Sequence, residues 1–306
     1  MSSLFAFPGQ GAQQVGMLHQ LPAECAACLE EAGDALGEDL LALDSAEALQ
    51  STRAVQLCLL VAGVACARLL LQRSPAPDYV AGLSIGAYTA AVVAGSLDFA
   101  DAVRLVALRG ELMQRAYPRG YGMTAILGLD QATVERLIAD ADGPLFLANI
   151  NADNQLVIAG SDAAMAAVAE RARTLGAGAA KRLAMSVPSH CALLDEAARE
   201  LAAAFAGVEL RRPAIRYLSG TTARPVFEPA RLRDDLAFNM CRVIDWHGTL
   251  RTAYERGVRL HIELPPGAVL SGLARRVFEQ GTVVAFQGAR LDTLDALLRQ
   301  EAGRTR

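Results

Sequence analysis

A chain of 306 residues with 53% hydrophobic and 20% charged side chains buries a large core, and this excludes intrinsic disorder. Its net charge of −4 leaves no basic footprint for nucleic acid, and the opening MSSLFAFPGQ has neither the basic start nor the apolar length of a secretion signal. A cytoplasmic protein without nucleic-acid or membrane partners is expected, with its six cysteines reduced and no metal: Cys25 and Cys28 form a CxxC that has no second pair to complete a zinc site.

LFAF at 4–7 reads as a short strand closed by the turn PGQG, and helical patterns follow at 22–35 and 52–72. The apolar stretch 57–71 is interrupted by Arg68 and falls short of the ~18–20 residues that cross a bilayer, so it reads as a buried helix. DYVAG leads into GLSIGAY at 82–88. TAAVVAG then continues as helix to a stop at Gly95, and Asp98 and Asp101 cap the next helix, 98–116. This alternation predicts an α/β fold with a mostly parallel sheet covered on both faces. From Met123 to Ser186 the order becomes strand, helix, strand, strand, helix, strand, the ferredoxin-like signature of a small unit with its own core. Strand candidates at 215–219 and 259–264 return the chain to the α/β pattern. The expected units are therefore a large one, 1–121 with 187–306, and a small one inserted at 122–186.

The chemistry starts at Ser84. A Gly-x-Ser-x-Gly turn between strand and helix holds its serine in a strained conformation with the hydroxyl pushed outward, and the amide of Ile85 at the following helix start suits a developing oxyanion. The alternative is a tight turn that uses glycine and serine only for space. A serine nucleophile needs a base, and the chain has four histidines. His261 lies in an apolar strand, His247 beside Trp246 and His19 in an exposed segment; His190, in SVPSHC, follows a strand end and a proline, where loops carry sites, and is favoured. Arg109 falls on the apolar stripe Ala102, Leu105, Val106, Leu112 and Met113 of its helix. A guanidinium there needs an anion, either an internal Asp or Glu or the carboxylate of a substrate held by its planar fork.

FPGQGAQ, GLSIGAY, RGELMQRA, SVPSHCALL and LPPGAVLSGL, in this order, resemble the malonyl-CoA:acyl carrier protein transacylase family over nearly the whole chain. The resemblance implies an α/β-hydrolase-like large domain with the ferredoxin-like insertion. It also implies a ping-pong transfer in which Ser84 takes a malonyl group from malonyl-CoA, the substrate, with no cofactor, and passes it to a carrier thiol. In that scheme His190 is the base and then the acid, Arg109 grips the malonyl carboxylate, and the amides of Gln10 and Ile85 form the oxyanion hole. A backbone carbonyl near Leu236, in LAFN, orients the histidine. Asn149 and Asn151 match a segment bordering the cleft; the plainer reading makes them polar residues of turns and strand ends. Leu83 and Ala87 replace the histidine before the serine and the glutamate after the second glycine that family members serving fatty-acid synthesis usually carry, and a malonyltransferase of fatty-acid synthesis is the alternative to the branch that follows. In this GLSIGAY resembles the branch that forms the epsilon subunit of malonate decarboxylase, whose acceptor is that complex's own carrier subunit. Candidate docking cations for an acyl carrier protein are Arg171, Arg173, Lys181 and Arg182, or Arg275 and Arg276. A serine hydrolase, with no use for Arg109, and a non-catalytic scaffold are the competing classes.

Overall fold

Residues 2–117 and 119–304 are described in a computed structural model, so the outer limits of the expected large unit, residues 1 and 306, lie outside the described residues. In chain order the elements are β1 (Ser2–Phe7), α1 (Ala26–Leu36), α2 (Thr52–Leu71), β2 (Tyr79–Gly82), α3 (Gly86–Val93), α4 (Phe99–Ala116), β3 (Tyr121–Leu127), α5 (Gln131–Ala139), β4 (Leu145–Ala152), β5 (Gln155–Ser161), α6 (Asp162–Thr174) and β6 (Ala179–Arg182). They continue with α7 (Asp195–Ala204), β7 (Arg216–Leu218), β8 (Pro225–Val226), α8 (Pro229–Phe238), β9 (Ile244–Asp245), α9 (Trp246–Glu255), β10 (Val258–Glu263), α10 (Val269–Ala274), β11 (Thr282–Ala285) and α11 (Leu291–Gly303).

The large sheet runs β11-β10-β1-β2-β7-β8, parallel throughout except for β8, which returns antiparallel to β7. β1 sits in its middle and is apolar on both sides, as a parallel strand covered by helices must be. Side chains alternate along a strand, so Phe5 and Phe7 join the core under α2, α3 and α4, while Leu4 and Ala6 face Trp246, Leu250 and Leu270 on the other side. α2 has 20 residues, more than the apolar stretch suggested, and is long and apolar enough by length and composition to cross a membrane; 89% of its apolar window is buried inside the protein. Arg68 does not break it, because its guanidinium reaches outward to Glu31 and lies over the Phe99 ring at 4.7 Å. Cys25, Cys28, Cys58 and Cys66 are buried free thiols of the same core, and no cluster of metal-binding side chains occurs among the described residues.

The small sheet runs β6-β3-β5-β4-β9. Its first four strands are antiparallel neighbours, and α5 and α6 cover one face through Val134, Leu137, Met165 and Val168. β3 begins at Tyr121, and the sheet does not end with the inserted segment: Ile244 and Asp245 of the returning chain add β9 in parallel beside β4. That extra strand ties the two sheets together along the cleft where β4 lies. β6 is shorter than the AKRLAMS pattern suggested, because the chain leaves the sheet after Arg182 and runs on toward His190 without regular structure.

Candidate active site

The strand-to-helix turn after β2 is closed by backbone contacts that leave no room for side chains. A Cβ on Gly82 would stand 1.9 Å from the Gly86 carbonyl carbon, and one on Gly86 would stand 2.3 Å from the Phe7 oxygen. Squeezed between them, Ser84 adopts φ +56°, a left-handed conformation that costs a non-glycine residue free energy and recurs at functional turns. The PGQG loop after β1 packs on the same turn: a Cβ on Gly9 would meet Leu83 Cδ2 at 2.6 Å, so Leu83 fills the space beneath that loop. The far limb of the loop is anchored by the buried Asp44 carboxylate, which accepts from the Leu18 amide at 2.8 Å and from His19 Nδ1 at 2.9 Å.

Between the two sheets lies a cavity of about 430 Å³ whose lining includes Gln10, Gln56, Ser84, Asn149, Asn151 and His190. Asn149 and Asn151 are not turn residues. They lie within β4, and their buried Oδ1 atoms have no hydrogen-bond partner among the described residues. Ile85 is the N-cap residue of α3, where the first amides of a helix have no acceptor within it.

His190 is buried, with φ +65°, and is held from two sides: its amide donates to the Met240 oxygen at 2.6 Å, and Nδ1 lies 2.7 Å from the Asn239 oxygen. A carbonyl only accepts, so Nδ1 carries the hydrogen and Nε2 keeps its lone pair. The orienting carbonyl is thus that of Asn239 and not of Leu236. α8 ends at Phe238, and its last turn spends the Leu236 oxygen on the Tyr88 hydroxyl at 2.8 Å, while Asn239 opens the turn that faces the histidine. Burial, helped by the charge of Arg109, pushes the His190 pKa down to about 4, so the ring is neutral at pH 7.

Arg109 is 0% exposed, and all of its hydrogen-bond partners are neutral. Nη1 donates to Gln56 Oε1 at 2.6 Å; Nη2 donates to Asn239 Oδ1 at 3.0 Å and to Ser84 Oγ at 3.3 Å. Nε has no partner, and no ion pair to Arg109 exists among the described residues, so the internal Asp or Glu considered from the sequence is not there. Burial lowers its pKa to about 10, which still leaves it charged at neutral pH. A desolvated cation therefore sits beneath a serine hydroxyl with a neutral imidazole in the same cavity.

The remaining histidines are elsewhere: His19 pairs with Asp44, His247 Nε2 lies 2.9 Å from Asp153, and His261 is sealed in β10 against Phe278. Of the candidate docking cations, Arg171 pairs with Asp140 and Arg173 with Glu170. Arg182 pairs with Asp162 and donates to the carbonyls of Tyr121, Met123, Leu183 and Met185, which makes it a clamp on the end of β6. Lys181, on the cavity rim, and Arg275 and Arg276 are exposed and carry no ion pair among the described residues.

An acyl transferase domain model matches residues 4–301. A malonyl CoA-acyl carrier protein transacylase of Haemophilus influenzae is 40% identical over 282 residues, covering 89% of this chain and 90% of that protein. This chain belongs to the malonyl-CoA:acyl carrier protein transacylase family. Its fold agrees: the crystal structure of FabD from Acinetobacter baumannii superposes with a TM-score of 0.91 at 38% identity, covering 98% of this chain and 99% of that one. A type II PKS acyl-carrier protein in complex with its malonyl-transacylase contains a chain that matches with a TM-score of 0.89 at 34% identity, over 99% of this chain and 100% of that one. Within this transacylase two site residues escape the motif reading, Gln56 and Asn239. Gln56 had a weak signal, as a polar residue directly before the apolar stretch 57–71 on the same helix; Asn239 had none beyond its place at the end of LAFN.

Proposed function

We propose that this acyltransferase moves a malonyl group from malonyl-CoA to the thiol of an acyl carrier protein through an ester on Ser84. Ser84 Oγ attacks the thioester carbonyl as Nε2 of His190 takes its proton; the C–S bond breaks, and the coenzyme A thiolate leaves with that proton. The carrier thiol then gives its proton to His190 and attacks the ester, and the C–O bond breaks as His190 passes that proton to Ser84 Oγ, which restores the serine hydroxyl. The amides of Gln10 and Ile85 hold the oxyanion in both halves, and Asn149 and Asn151 offer their free oxygens to the amide-bearing arm of either thiol. The reaction as written needs no metal or cofactor, and the setting we assign to it is the cytoplasm. The observation that carries this reading is the buried Arg109 with only neutral partners beside Ser84 Oγ. A hydrolase of neutral esters has no use for it, and a substrate with a free carboxylate completes it.

For the acceptor, the relatives named for acyl carrier protein favour that class of carrier over the malonate decarboxylase subunit. The decarboxylase carrier stays as a second reading because Leu83 and Ala87 flank the serine in GLSIGAY. Mass spectrometry after mixing with malonyl-CoA should show an adduct on wild type and none on Ser84→Ala, and transfer rates to the two carriers should favour the acyl carrier protein. Labelling that survives Ser84→Ala would refute the nucleophile.

A further inference from the structure

The partners of Arg109 share one property: each is polar enough to hold a guanidinium, and none is charged. Gln56 is 1% exposed; its Oε1 accepts from Nη1 at 2.6 Å, and its Nε2 is turned toward Met113 Sδ at 3.4 Å, which settles which way the amide points. Asn239 is 2% exposed and uses every polar group it has: Oδ1 accepts from Nη2 at 3.0 Å, Nδ2 donates to the Ser84 carbonyl at 3.2 Å, and the backbone oxygen holds His190. The buried Asp235 carboxylate, which with Arg109 influences Tyr88, is taken up by the hydroxyls of Tyr217, Ser219 and Thr221.

We propose that Gln56 and Asn239 are specificity-determining residues: an uncharged amide cage that aims the Arg109 fork while leaving its charge uncompensated, so that only an acyl group bringing its own carboxylate completes the site. This rests on the malonyl reading above. The physical ground is that an amide oxygen satisfies a guanidinium N–H without cancelling its charge, whereas a carboxylate in the same place would form an internal ion pair. A neutral acyl group leaves the cation unanswered, as a site built to bond a substrate group penalises the analogue that lacks it. Each amide has a carboxylic acid of the same shape, so the charge is separable from the geometry.

The test measures kcat/KM for malonyl-CoA and for acetyl-CoA on the full chain. Gln56→Glu should lower the malonyl over acetyl preference ~100-fold, the size expected when a substrate must displace a buried charged partner, with malonyl transfer falling far more than acetyl transfer. Asn239→Asp should show the same loss of preference on top of a fall common to both substrates, since it also removes the donor to the Ser84 carbonyl. Gln56→Ala, which removes the amide and adds no charge, should raise the malonyl-CoA KM and retain more of the preference than Gln56→Glu. Equal falls for both substrates in Gln56→Glu, or a loss of preference as large in Gln56→Ala, would overturn the cage. A wild type that already treats the two substrates alike would overturn the malonyl reading itself, an outcome distinct from a selective wild type whose Gln56→Glu variant stays selective.

Discussion

Arg109 and His190 act on each other although no hydrogen bond joins them. The imidazole is lowered to about 4, first by burial and second by the guanidinium, so it is neutral and ready to accept a proton across the physiological range. The acid limb of kcat/KM should accordingly lie near pH 4, well below the ~6.5 of an unperturbed histidine. Arg109→Ala removes the second cause only. Its acid limb, followed with acetyl-CoA because the carboxylate site is gone, should move upward while remaining below ~6.5, since burial persists. An acid limb that stays in place would show that the two charges do not communicate. The position of Arg109 was legible in the sequence, on the buried stripe of a helix; its lack of an anion was not, because partners come from α2 and from the turn after α8.

The elements are joined at the site by the turn between β2 and α3. Its two glycines differ from a merely flexible pair because each faces backbone that cannot give way, Gly86 against Phe7 and Pro8 at the end of β1. Gly86→Ala is expected to destabilise by about 1–3 kcal/mol or more as the strand and helix are forced apart. It should also misplace Ser84, so the melting temperature and the yield of malonyl adduct should fall together; an alanine variant with the wild-type melting temperature would contradict the close approach. GLSIGAY announced this turn from its residue types alone, since few backbones other than a strained one need glycine on both sides of a serine. The carbonyl that orients His190 was misplaced by three residues, at Leu236 instead of Asn239, because where a helix ends and which oxygen its last turn leaves free depend on packing against Tyr88.

At the scale of the whole molecule, two buried imidazoles contribute to the pH dependence of stability. His190 and His261 are both lowered to about 4, chiefly by burial, while in the unfolded chain each titrates near ~6.5. Between those values the unfolded state holds more protons, so stability is full above ~6.5 and falls as pH drops toward 4, with a slope of up to ~1.4 kcal/mol per pH unit for each group. The melting temperature should therefore decline over that window, and His261→Phe, distant from the site, should flatten the decline; an unchanged slope would count against a neutral buried His261. Periodicity and turn chemistry placed the strands and helices of the small unit and, in the large one, β1, α1 to α4, β2, β7 and β10, because burial on one face or two imprints itself on neighbouring residues; α7 to α11, β8 and β11 were not placed. They did not reveal β9, a two-residue strand too short to carry a pattern, and although α2 was read at its full length, the place of its Gln56 beside Arg109 was not. Ser84, His190 and Arg109 were readable one by one, each from its own local context. What only the tertiary structure decided is the cavity shared by Ser84 and His190 with Arg109 buried against the serine, the Asn239 residue that touches all three, and the uncharged company of Arg109, for these are contacts between segments far apart in the chain, and no local pattern of residues encodes them.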